Sequence, residues 1–234
     1  MDETLGFPDL LRLIDERSTA FRAAVAVAPS LDVQVPTCPD WTLFDLVRHL
    51  GDGRRAWAAT IAAGPHATAK AAPRGDSAVP REREALLDWS AESARQLLDA
   101  LREAGPDRGC WTWWGKSQSP QTCAAVARRQ LHEIAVHTYD AQLTVGAPQP
   151  LPEEVALDGA EEFLSTARST TADRPGAFLT KRGHRLVASA VRVTASVATA
   201  GRAAQRGHAG RDQACRLSRR VGPHRRGNAR DNGA

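Results

Sequence analysis

Four long stretches of this 234-residue chain repeat large apolar residues every three or four positions. That is the period of one face of an α-helix, not of a strand. The first, about Pro8 to Val27, carries Leu10, Leu13, Ile14, Phe21 and Val25. The second opens at Thr42 and carries Leu43, Leu46, Val47, Leu50, Trp57 and Ile61. The third, about Arg81 to Ala104, carries Leu86, Leu87, Trp89, Leu97, Leu98 and Leu101. The fourth runs from near Pro120 to about Val145. Helices striped in this way must bury their stripes on one another, which predicts an all-α four-helix bundle. The punctuation agrees. Pro8 suits a first helical turn, Thr42-Leu43-Phe44-Asp45 resembles a capping box with Asp in place of Glu, and Gly146 is a helix stop. A connector from Ala28 to Trp41 holds Pro29, Pro36 and Pro39, and an Ala/Pro/Gly loop spans Gly64 to Pro80. The segment from Gly105 to Pro120 contains Cys110-Trp111-Thr112-Trp113-Trp114, too aromatic for a plain surface loop. A fifth, shorter helix is predicted from about Pro152 to Ala167.

The net charge of +4 averages two unlike parts. Residues 1–170 carry 17 basic and 24 acidic side chains, whereas residues 171–234 carry 14 and 3. The expected division is therefore a helical bundle over 1–170 and a basic Arg/Ala/Gly-rich tail over 171–234. After Val197 the tail has almost no large apolar residues, with Leu217 and Val221 isolated. Such a composition buries too little apolar surface to offset the entropy of ordering. A nucleic-acid role for the tail is disfavoured, because it lacks interleaved aromatics and any binding motif. No stretch reaches the roughly 20 apolar residues of a membrane span, and the acidic start Met1-Asp2-Glu3-Thr4 does not have the layout of a signal peptide. Both point to a cytoplasmic protein. Cys38, Cys110, Cys123 and Cys215 show no paired spacing and read as free thiols.

The chemistry-bearing residues lie on the second and fourth stretches. His49 sits beside the apolar stripe in Asp45-Leu46-Val47-Arg48-His49-Leu50. Glu133 and His137, four apart, share one helix face. With a third ligand from a facing helix they make a His₂Glu set with an open position, suited to a divalent ion such as zinc. From spacing alone, a solvated Glu–His pair and a core histidine remain the alternative. His132 points about 100° away from Glu133 and reads as an outer-shell or surface residue. Arg128 and Arg129, about a turn earlier, are weak candidates for holding a substrate carboxylate, against a solvated face or an ion pair with a bundle acid. Asp140 could orient a ligand or be exposed. Cys38, without a basic neighbour, reads as structural, and Trp41 as a packing staple.

The text around these residues resembles a known family. Val35-Pro36-Thr37-Cys38-Pro39-Asp40-Trp41-Thr42 followed by Asp45–Leu50, and Arg128-Arg129-Gln130-Leu131-His132-Glu133-Ile134-Ala135-Val136-His137-Thr138-Tyr139-Asp140-Ala141, are similar to the two metal-ligand segments of the mycothiol-dependent maleylpyruvate isomerase family. The Trp111/Trp113 stretch and Asp158-Gly159-Ala160-Glu161-Glu162-Phe163-Leu164 look like further landmarks. The resemblance covers about residues 7–170. It implies a DinB-like bundle with a divalent metal, usually zinc, held by His49, Glu133 and His137.

It also implies mycothiol as a low-molecular-weight thiol cosubstrate, with a metal-bound thiolate adding to a small electrophile. The outcome would be isomerisation or S-transfer, with the Trp cluster and the entrance of the second helix as pocket walls. Relatives carry a small α+β domain after the bundle. Pro175-Gly176-Ala177-Phe178 and His184-Arg185-Leu186-Val187-Ala188 look like its start, and the pattern dissolves after about Ser189. With 3 Lys against 28 Arg, as in a GC-rich gene, a frameshifted or degenerate remnant is the expectation for the tail. A non-catalytic metal binder that has lost this domain, and a metal-dependent hydrolase, are the alternatives.

Overall fold

A computed structural model describes residues 5–72, 78–115, 117 and 119–167, with backbone only over 163–167. The expectations for the tail beyond these residues, its division from the bundle included, lie outside the described part. Five helices form: α1 (Phe7–Val27), α2 (Leu43–Ala63), α3 (Arg83–Ala104), α4 (Cys123–Thr144) and α5 (Glu153–Ala167). The all-α expectation holds, with one small addition. Strands β1 (Gln34–Val35) and β2 (Cys38–Thr42) pair antiparallel inside the Pro-rich stretch read as a plain connector. Pro36 occupies the turn, and Pro39 lies in a strand with no further sheet neighbour, where its missing N–H costs nothing.

Helix ends follow local chemistry. The Thr42 side chain accepts from Asp45 N while the Asp45 carboxylate accepts from Thr42 N, so the Asp-variant capping box is real. Such a cap stabilises a helix start by about 1 kcal/mol. Helix α4 begins at Cys123 behind an N-cap at Thr122, three residues later than the sequence suggested. The chain before it is held instead in a β-bridge, Gly109 opposite Thr122. Gly146, at φ 73°, takes the left-handed conformation that ends α4. At the C-terminal end of α1, Arg83 donates to the carbonyls of Val25, Ala26 and Ala28, adding to the one bond Val25 O accepts from the capping Ala28 N–H.

The bundle core divides into two apolar clusters, and the order in which each helix visits them gives its direction. One cluster holds Leu10, Leu13 and Ile14 of α1, Trp57 and Ile61 of α2, Leu97, Leu98 and Leu101 of α3, and Val126, Ala127 and Leu131 of α4. The other holds Phe21 and Val25, Leu43, Leu46, Val47 and Leu50, Leu86 and Trp89, and Ile134 and Ala141 of the same helices in turn. Thus α1 and α4 run one way and α2 and α3 the other. The parallel α2–α3 step requires a long crossover, supplied by the loop after Gly64. The main packing pairs are α1 with α4 and α2 with α3. The latter is close: a Cβ on Gly51 would stand 2.0 Å from the Trp89 ring. This topology brings the start of α2, the end of α4 and the β-hairpin to one end of the bundle.

Candidate metal centre

At that end His49, Glu133 and His137 converge. One ligand atom from each lies within 4.8 Å of the others, a spacing a single ion can bridge. His49 Nε2 is 3.1 Å, and His137 Nε2 3.5 Å, from the same Glu133 oxygen, Oε1. The rings of His49 and His137 meet edge to face at 5.3 Å. His137 is 2 % exposed in its side chain and Glu133 15 %, while His49 is 36 % exposed. The cluster is therefore closed from inside and open on the His49 side.

The surroundings fix the donor atoms. His137 Nδ1 donates to Asp140 Oδ2 at 2.9 Å, and the other Asp140 oxygen accepts from Thr37 Oγ1 at 2.6 Å. Asp140 is fully buried, so the exposed alternative for it is set aside. With Nδ1 committed, Nε2 faces the cluster. It is buried and makes no hydrogen bond, which is the arrangement expected of a nitrogen kept for a cation. On the carboxylate, Arg129 Nη2 donates to Glu133 Oε2 at 2.7 Å, leaving Oε1 to face both imidazoles. The three donors fit a divalent ion of the zinc type by kind as well as by position.

The charges are tuned by the same contacts. Burial pushes the Glu133 carboxyl up, but Arg129 and the two histidines outweigh it and hold it well below the usual carboxylate range. Burial opposes charge on His137, yet Asp140 and Glu133 overcome it and raise its pKa to about 9. Without a metal the ring is thus an imidazolium at neutral pH.

Other candidates land differently. Trp41, read as a staple, lies 4.7 Å from the His49 ring and 6.2 Å from that of His137, so it is the aromatic that borders the site. Trp57 and Trp114 pack in the other apolar cluster, with the half-buried Trp111 ring 6.5 Å from Trp57. Trp57 stands eight residues beyond His49, about 12 Å along the helix, so this group lies away from the ligands rather than beside them.

Arg128 and Arg129 are engaged by acids. Arg128 pairs with Asp158 at 2.9 Å and Glu161 at 3.4 Å, and Arg129 with Glu133 and, at 3.7 Å, Glu162. Their ion-pair reading is the one the geometry favours over substrate binding. His132 is a buried residue of α4, its Nε2 2.8 Å from Asp158 and its Nδ1 3.4 Å from Glu162, so it is not a surface histidine. Burial opposes its charge, but the two acids raise its pKa. Gly159 leaves room for this contact, since a Cβ there would sit 3.2 Å from the ring.

Two residues went unrecognised in the sequence. Thr37 holds Asp140 across 103 positions, which no local pattern could reveal. Arg54 of α2 is buried between the two apolar clusters and donates to Ser18 Oγ at 2.7 Å. Burial, with a smaller push from Arg22, lowers its pKa to about 10, while Glu133 supports its charge.

No helix among the described residues is long and apolar enough to cross a membrane. Comparison with curated proteins and with solved structures returned no match. Comparison with family models matched residues 11–142, a span containing all three convergent ligands and both similar segments, to the mycothiol maleylpyruvate isomerase N-terminal domain. A match over more than half of the chain, centred on this site, shows that the chain belongs to the mycothiol maleylpyruvate isomerase N-terminal domain family.

Proposed function

We propose that the chain holds one divalent ion, zinc by its donor set, through His49, Glu133 and His137, and acts as a mycothiol-dependent isomerase or S-transferase on a small electrophile. The observation that carries this reading is the convergence of the His49 Nε2 and the buried His137 Nε2 on one oxygen of Glu133. A His₂Glu set leaves a coordination position open. An ion there supplies Lewis acidity and favours the deprotonated form of a thiol or water in that position.

The protein's own groups do the rest. Asp140 holds a proton on His137 Nδ1, so the proton lost to a cation is the one on Nε2, which would then present its lone pair to the site. Arg129 holds Glu133 ionised and turned inward. The partly exposed His49 marks the side from which a thiol and its electrophile can approach, and the Trp41 ring stands beside it.

Elemental analysis of the purified chain beside His49→Ala and His137→Ala tests the metal. One equivalent in the parent and a large loss in each variant are expected. Consumption of a maleyl-type or epoxide electrophile, with and without mycothiol, tests the reaction. Turnover that needs the thiol supports the reading. Turnover without it indicates a metal-dependent hydrolase, and a loaded protein inactive toward either class indicates a metal binder without catalysis.

A further inference from the structure

The β-hairpin reaches the candidate metal centre from outside the two helices that carry its ligands. Pro36 and Thr37 form the turn between β1 and β2. The residues on either side of that turn, Val35 and Cys38, are both buried in the apolar cluster that includes Ile134 and Ala141 of α4. Two anchored neighbours fix where a two-residue turn can stand. From there Thr37 Oγ1 donates to Asp140 Oδ1 at 2.6 Å, the short length of a hydroxyl bound to a carboxylate. The other oxygen, Oδ2, accepts from His137 Nδ1 at 2.9 Å. Two hydrogen bonds in series thus run from the hairpin to the ring whose Nε2 stands 3.5 Å from Glu133 Oε1.

We propose that Thr37 is a positioning residue of the metal centre, its hydroxyl setting the plane of the Asp140 carboxylate so that Asp140 can hold the His137 ring in one direction. This role rests on the metal reading above and adds to it a residue that is not a ligand. The terminal torsion of an aspartate is broad and roughly two-fold. One hydrogen bond, at Oδ2, leaves the carboxylate free to swing about that contact, and a second, at Oδ1, stops the swing. Asp140 is fully buried, so bulk water does not replace a lost donor. The β-branched Thr37 side chain has a restricted χ1, which keeps its hydroxyl pointed one way. Without that hydroxyl the carboxylate is fixed from one side only, and the Nε2 of His137 loses its set direction toward Glu133 Oε1. Outer partners of this kind govern how tightly a histidine site holds its ion.

The experiment compares the full-length parent with Thr37→Val, which keeps the shape and removes the hydroxyl, Thr37→Ala, which removes both, and Thr37→Ser, which keeps the hydroxyl. Two readouts are taken on each. In metal-free protein carrying isotope-labelled histidine, NMR follows the His137 Nδ1–H proton. It should exchange slowly with water in the parent and in Thr37→Ser, and be broadened or lost in the other two. With zinc, competition against a chromophoric chelator should show an affinity about tenfold weaker in Thr37→Val and Thr37→Ala, and close to that of the parent in Thr37→Ser. Circular dichroism checks that each variant folds, and Thr37→Ala decides where Thr37→Val does not. Parent-like zinc affinity in the hydroxyl-free variants overturns the inference and leaves the metal reading standing. A weaker affinity with the Nδ1–H proton unchanged overturns it too, because the loss then bypasses Asp140. So does an equal loss in Thr37→Ser, which would trace the effect to the turn and not to the hydroxyl. A parent that takes up no zinc overturns the metal reading itself, and the role of Thr37 toward a cation falls with it.

Discussion

At the level of single residues, His137 governs how the site responds to pH. Its pKa in the metal-free fold is about 9, above the 6.5 of a free imidazole. The group therefore stabilises the metal-free fold fully below about pH 6.5 and loses that contribution as pH rises through about 9. A cation needs the same Nε2 free of its proton, so loading must displace it. Metal affinity is expected to rise about tenfold per pH unit from pH 7 toward 9 and then level off. Competition with a chromophoric chelator across that range measures it, and an affinity independent of pH would contradict the proton on His137. Asp140 acts one atom further out. Asp140→Asn keeps size and acceptor but removes the charge that fixes the Nδ1–H tautomer. A loss of about 10–100-fold in metal affinity is expected, measured by the same competition, with secondary structure unchanged by circular dichroism.

Among the elements, α5 shows what a sequence pattern cannot convey. Its position near Pro152–Ala167 was legible, as were α1, α2 and α3 to within a few residues, because apolar spacing and caps are local signals. Its partners were not. The sequence leaves Arg128 and Arg129 between a substrate carboxylate and a solvated face or bundle ion pair, and His132 between an outer-shell and a surface place, because Asp158, Glu161 and Glu162, which pair with them, come from another helix. The β-hairpin was hidden by its two prolines and two-residue first strand. Asp158, almost wholly buried, touches both Arg128 and His132, so it is the anchor of α5 on α4. Asp158→Asn leaves those cations facing a neutral amide. Breaking a buried pair on one side costs about 3–5 kcal/mol, and the part-exposed Arg128 places this case at the low end. Hydrogen exchange should show residues 153–162 opening well before the bundle, while the α1 amides keep their protection. Protection lost equally throughout would make α5 part of a single cooperative unit instead.

For the molecule as a whole, the proposed ligands His49, Glu133 and His137 stand out in sequence because family-like segments carry them, but their convergence depends on topology. His49 lies in the first third of α2, and Glu133 and His137 in the middle and third quarter of α4. The opposite run of these helices sets the two segments at one level of the bundle. A cation gripped by α2 and α4 together binds the folded chain and finds no assembled site in the unfolded one. Its binding energy therefore appears as stability, about 4.1 kcal/mol when the free ion stands at 1,000 times its Kd. For a domain of this size each kcal/mol moves Tm by about 2–4 °C. Stripping the ion with a chelator should therefore lower Tm by roughly 8–16 °C. Restoring zinc should reverse the drop, and His137→Ala should show almost none of it. A scan in which the parent melts at one temperature with and without chelator would mean that the two helices do not share a cation in solution.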